Sequence, residues 1–179
     1  MRVVQALDAG PMLAAARCPI GADETSVDVE QRLATIGAGL LVTIVDDLAD
    51  GRATDTPQDE GAATYAHRLT REDGTVDWTW PAARVHNLIR GLHPWPHAFA
   101  FCRGQRLILI DSTVGDDAVP PDIEPGTILE AHGDRLLVAT GRGALRITRL
   151  QAEGTRAMTT RDFLPGHPMS VGDRLTSSP

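Results

Sequence analysis

Beyond Pro94-Trp95-Pro96 the apolar residues come only in short runs, and each run is closed by a turn-forming Gly, Pro or Asp. No helix continues through that triplet, because each proline lacks an amide donor and clashes with the preceding turn. The runs at 98–102, 106–110, 126–130, 136–139 and 144–150 are too brief for helices and fit strands. Leu145 and Ile147 alternate with Arg146 and Thr148, so that run has one apolar and one polar face. A turn at Arg103-Gly104-Gln105 makes the first two runs a hairpin. This half of the chain is therefore expected to form a small barrel rather than a helical bundle.

The first half follows different rules. Val3-Val4-Gln5-Ala6-Leu7 is expected to be a strand, Asp8-Ala9-Gly10-Pro11 a turn, and Met12 to Ile20 a second strand. Thr25, with Asp28 three residues on, predicts a helix start. Val29, Leu33, Ile36, Leu40, Ile44 and Leu48 then recur at spacings of three and four, one face of a helix that Gly51 ends. Residues 52–63 are a polar connector. Pro81 followed by Val85, Leu88, Ile89 and Leu92 predicts a short amphipathic helix. A late helix is expected around Met158 to Phe163, capped by Thr159 or Thr160. The organisation is thus α+β, and the oligonucleotide-binding (OB) fold is one barrel design that suits the strand count.

Charge narrows the partners. The 17 basic residues are all Arg, and the net charge is −7. Residues 1–60 hold 4 Arg against 11 Asp and Glu; residues 84–106 hold 4 Arg and no acid; residues 135–161 hold 6 Arg against Glu153 alone. An acidic chain with two basic segments can still meet phosphates locally. No apolar run approaches the roughly 18 residues of a membrane span, and the first residues lack the apolar core of a secretory signal. A cytoplasmic monomer is expected, with no membrane or DNA partner. Cys18 and Cys102 are far apart and read as reduced thiols. His93 and His97, near Cys102, are separated by a proline-broken segment that does not align two imidazoles on a metal. Asp116-Asp117 with Asp122 and Glu124 reads as a solvated loop rather than a calcium site.

A series of short segments carries a resemblance. Leu7-Asp8-Ala9-Gly10-Pro11-Met12-Leu13, Asp23-Glu24-Thr25, Gln58-Asp59-Glu60, Asp77-Trp78, Ile89-Arg90, Pro94-Trp95-Pro96, Leu150-Gln151-Ala152-Glu153-Gly154 and Asp162-Phe163-Leu164 occur in that order. Together they resemble the carboxy-terminal portion of the methionyl-tRNA formyltransferase family. The resemblance implies three regions. Residues 1–51 would be the last strand and helix of a Rossmann-like catalytic domain, 52–73 a linker, and 74–179 an OB-like barrel with a short helix. It also implies formyl transfer from 10-formyltetrahydrofolate to the amine of Met on initiator tRNA, without a metal. The family's catalytic trio is an Asn, a His and an Asp, and Asp8 stands at the Asp. A His near neutral pKa relieves the attacking amine of its proton, a carboxylate orients that His, and an Asn amide stabilises the oxyanion.

The departure from the family matters as much. His67, His86, His93, His97, His132 and His167 all lie in the linker or carboxy-terminal regions, and no segment resembles the folate-binding half. The chain is therefore expected to be a truncated, catalytically incomplete formyltransferase. The basic segments fall where the resemblance places tRNA contact, so Arg142, Arg146, Arg149 and Arg156 are the candidate phosphate ligands. Trp78, Trp80 and Trp95 are expected mainly in packing rather than stacked on bases. Three other readings stay open: another folate-dependent formyltransferase or 10-formyltetrahydrofolate hydrolase, a non-catalytic RNA-binding module, and a remnant whose lone first strand leaves apolar surface exposed.

Overall fold

The computed structural model describes residues 1–115 and 119–179. The chain forms two compact units: residues 1–22 with 27–68, and residues 23–26 with 69–179. The architecture is α+β, with helices and one antiparallel sheet among the described residues.

In the first unit, helix α1 (Ser26–Ala49) begins directly after Thr25. Its end is built by Gly51, whose φ of 69° is the left-handed conformation that glycine adopts without strain. Gly51 N–H donates to Leu48 O at 3.3 Å and Arg52 N–H to Asp47 O at 2.8 Å, the paired bonds of a Schellman stop. The Arg52 side chain returns to Asp47 and Asp50, adding a cation at the negative end of the helix dipole. No residue of α1 is buried, and Leu33, Leu41, Val42, Val45 and Leu48 stay exposed. The two strands expected upstream do not form. Val3 and Leu7 are almost fully exposed, and the segment makes only the isolated Met12–Thr56 bridge. A strand needs a neighbour to pair its amides, and this unit holds no sheet among the described residues.

The second unit holds helix α2 (Ala82–Gly91), strands β1 (Ala98–Cys102), β2 (Gln105–Gly115), β3 (Ile128–His132), β4 (Arg135–Ala139), β5 (Ala144–Ala152) and β6 (Met158–Thr159), helix α3 (Thr160–Phe163) and strand β7 (Leu175–Thr176). The five longer strands follow the sequence pattern. β6 and β7 escaped it, because two residues carry no periodicity, and β6 takes Met158 and Thr159 out of the expected helix. Thr159 is the cap, accepting from Asp162 N–H at 3.3 Å.

The strand order is β3-β4-β5-β2-β1-β7, with β6 beside β5. Ile128 N–H donates to Asp173 O and Leu175 N–H to Gly126 O, each at 2.8 Å, so the curled sheet meets itself where β3 and β7 begin. Register shifts after Leu109 in β2 and its partner Leu150 in β5 let both long strands bend. They also explain why Ile147 and Leu150, three apart, are both buried. Leu107, Leu109, Leu136, Val138, Leu145, Ile147, Leu150 and Phe163 form the core with Val85 and Ile89 of α2. Burial of each such aliphatic side chain contributes roughly 1.5–3 kcal/mol. Arg84 and Asn87 consequently stand on the outer side of α2, exposed.

Candidate functional site

Asp8 lies in a turn whose geometry is unusually constrained. Its φ of 55° is left-handed, a conformation non-glycine residues reach at a cost of about 1–2 kcal/mol. The turn is held in place by Gln58, whose Nε2 donates to Asp8 O at 2.7 Å and to Gly10 O at 2.6 Å. Arg2 N–H donates to Pro11 O at 3.0 Å, closing the loop from the other side. A Cβ on Gly10 would overlap the Arg2 carbonyl, so only glycine fits. Asp8 itself is exposed. Local strain maintained by surrounding contacts is a feature found at functional sites.

The four candidate arginines lie in the second unit, and the structure treats them differently. Arg142 sits exposed in the turn between β4 and β5. That turn is anchored to the start of α2: Ala82 N–H donates to Arg142 O at 3.0 Å, and Gly141 N–H to Trp78 O and Trp80 O at 2.9 and 3.0 Å. Arg146 points outward from β5 between buried Leu145 and Ile147, but its Nη2 is 2.9 Å from Asp134. Arg149, beyond the bend, is 3.8 Å from Asp111. Arg156 is exposed after β5. Arg142, Arg146 and Arg149 thus share one strand and its preceding turn, with two of the three partly neutralised.

The three tryptophans, all expected mainly in packing, differ in their surroundings. Trp78 is buried in the core, Trp80 is partly buried against it, and Trp95 is 54% exposed. Arg84, which the sequence placed only within a basic segment, lies over the Trp80 ring with Cζ 3.7 Å from the centroid. The spacing of four residues across a helix start was the available signal. Asp77 nearby is occupied by Thr79, whose hydroxyl and N–H donate to it at 2.6 and 2.9 Å. These bonds, with a smaller contribution from Arg84, hold the Asp77 carboxyl below its ordinary pKa.

Two further polar groupings lie in the same unit. His86 Nδ1 and Ser112 Oγ form a buried 3.0 Å hydrogen bond between α2 and β2. The His93 and His97 rings stand 5.4 Å apart, and burial followed by repulsion from His93 lowers the pKa of His97. No cluster of three metal-ligating side chains occurs among the described residues. Asp116 and Asp117 lie outside the described residues. Cys18 and Cys102 are unpaired.

Comparison with known proteins agrees with this anatomy. The sequence profile of the formyl transferase C-terminal domain matches residues 68–168. The methionyl-tRNA formyltransferase of Methylococcus capsulatus is 40% identical over 175 residues, 98% of this chain and 56% of that protein. Its counterpart in Pseudoalteromonas translucida is 36% identical over 166 residues, 93% of this chain and 52% of its own length. The chain therefore spans about half the length of these curated relatives. Among solved structures, a HypX variant from Aquifex aeolicus superposes with a TM-score of 0.66 at 18% identity, covering 97% of this chain and 33% of that one. The sugar 3N-formyltransferase WlaRD gives 0.64 at 13% identity, covering 87% and 54%. With more than half of its residues matched by the family's carboxy-terminal domain, the chain belongs to the formyltransferase family, and it corresponds to the carboxy-terminal portion of methionyl-tRNA formyltransferases.

Proposed function

We propose that this chain is the tRNA-holding half of a methionyl-tRNA formyltransferase and does not transfer formyl groups on its own. The observation that carries this reading is the match along 93–98% of the chain to enzymes of that name, of which it spans only about half. In the complete active site Asp8 is a positioning residue. Its carboxylate, presented by the turn that Gln58 and Gly10 hold, orients and charge-stabilises a His contributed by the amino-terminal half. The OB-like barrel of residues 74–179 contributes the phosphate contacts of Arg142, Arg146, Arg149 and Arg156 to initiator tRNA, in a cytoplasmic translation-initiation role.

The formyl donor, a 10-formyltetrahydrofolate in this reading, is not matched by the apolar groove of the first unit. A groove of about 370 Å³ in the first unit is lined by Met1, Leu13, Leu40, Leu41 and Ile44 among others. Its side chains are aliphatic or thioether and lack the strong donors and acceptors that a pterin edge requires.

The purified chain, given 10-formyltetrahydrofolate and methionyl-initiator tRNA, is expected to bind the tRNA in a salt-dependent manner and to form no formylmethionyl-tRNA. Formylation by the chain alone would overturn the incomplete-site reading. Absence of salt-dependent tRNA binding would overturn the tRNA-holding role.

A further inference from the structure

We infer that Arg84, stacked on Trp80, and Arg142 form a two-arginine clamp for an RNA phosphodiester at the end of the barrel where α2 begins. The inference rests on the tRNA-holding reading and adds residues to it. Arg84 is in the first turn of α2, and its guanidinium lies over the indole at 3.7 Å. Trp80 is held at two levels: its ring packs on the core, and its backbone amide donates to Asp77 O at 3.2 Å while its backbone carbonyl accepts from Gly141 N–H.

The second arginine is fixed by the same junction. The Arg142 carbonyl accepts from Ala82 N–H at 3.0 Å and from Thr140 Oγ1 at 3.0 Å, which ties its turn to the helix start two residues before Arg84. A Cβ on Gly141 would overlap the Thr79 carbonyl, so the close approach of the two segments depends on glycine there. Both arginines stand at a backbone junction that the chain's own hydrogen bonds hold.

Electrostatics distinguish this pair from its neighbours. Arg103, Arg106, Arg135, Arg146, Arg149 and Arg174 each have a carboxylate within 4 Å. Among the described residues no carboxylate lies within 4 Å of Arg84 or Arg142; Asp77, held by Thr79, acts on Arg84 only from beyond that distance. Arg106 also lies over an aromatic ring, Phe99, but faces Glu153 at 3.9 Å. Stacking restricts a guanidinium to one plane and leaves its N–H edge free to donate in parallel to two phosphate oxygens. Trp80 acts through Arg84 and is a positioning residue.

The test measures initiator tRNA binding by the full chain across about 50 to 200 mM salt. Arg84→Ala and Arg142→Ala are each expected to weaken binding about five- to tenfold near 0.1 M salt and to reduce the salt slope by about 0.9. Trp80→Leu should weaken binding less than Arg84→Ala and add nothing in the Trp80→Leu/Arg84→Ala double variant, with melting followed to verify folding. Arg84→Lys retains charge without the planar stack and should recover only part of the affinity. Wild-type affinity and slope in Arg84→Ala and Arg142→Ala, alongside weakening in Arg149→Ala and Arg156→Ala, would overturn the clamp and leave the tRNA reading standing. No salt-dependent binding by the wild-type chain would instead remove the reading beneath it. Inorganic phosphate bound by the wild-type chain and lost in Arg84→Ala and Arg142→Ala, with tRNA affinity and salt slope unchanged in both variants, would assign the pair to free phosphate and overturn the RNA assignment.

Discussion

Replacing Gly126 with alanine probes the seam where the curled sheet meets itself. Gly126 has a φ of 89°, accepts the Leu175 N–H at 2.8 Å and donates to Ala139 O at 2.8 Å. A Cβ there would overlap the Leu175 carbonyl oxygen and come within 3.4 Å of the Trp78 ring, so β7 must withdraw. Left-handed strain costs about 1–2 kcal/mol. Loss of the two seam hydrogen bonds, Leu175 to Gly126 and Ile128 to Asp173, adds about 1 kcal/mol each. The total of roughly 3–4 kcal/mol corresponds to a fall in melting temperature of roughly 6–16 °C for a chain of this size. Gly104→Ala is the control, because its φ is 79° but its Cβ would meet nothing within 4 Å. It should cost only the strain, roughly 2–8 °C. Thermal unfolding by circular dichroism gives both numbers, and hydrogen exchange at Leu175 reports the seam directly. Equal shifts in the two variants, with Leu175 protection unchanged in Gly126→Ala, would refute the closed seam.

Two further predictions follow from charge and burial. The Asp173 carboxyl is held below the ordinary carboxylate range by the Ser170 N–H and by Arg103. Its stabilisation is therefore complete above the unfolded value of about 3.9 and lost as pH falls through the lower folded value. The melting-temperature gap between wild type and Asp173→Asn should stay level from neutral pH to about pH 4 and shrink below it; a gap constant through the acid range would contradict this. Burial, reinforced by Asp173, pushes the Cys102 thiol up, so iodoacetamide at mildly alkaline pH should modify Cys18 and spare Cys102 in the folded chain. Mass spectrometry showing equal labelling rates would count against the burial of Cys102.

Local rules were legible where the residues involved are near in sequence. Periodicity located α1 and α2, Gly51 marked the end of α1, and turn residues separated the five main strands. The same rules failed at residues 3–7 and 12–20. Apolar alternation there describes a strand that needs a partner, and α1 likewise keeps its apolar residues unburied.

Candidate site residues divide along the same line. Asp8 is a candidate through its motif, yet the hold of Gln58 on the Asp8 turn joins positions 50 residues apart. Arginines 142, 146 and 149 looked equivalent as a basic run. Only folding brought Asp134 against Arg146 and Asp111 near Arg149. The stack of Arg84 on Trp80 depends on how α2 leaves Pro81, and the approach of Arg142 to that corner depends on Gly141 meeting Thr79. Sequence alone located the two longer helices, the five main strands and the family they match, because those are properties of neighbouring residues in order. Tertiary structure decided which charges are neutralised, which aromatic rings face solvent and where the sheet closes, because each depends on residues that only the folded backbone brings within a few ångströms.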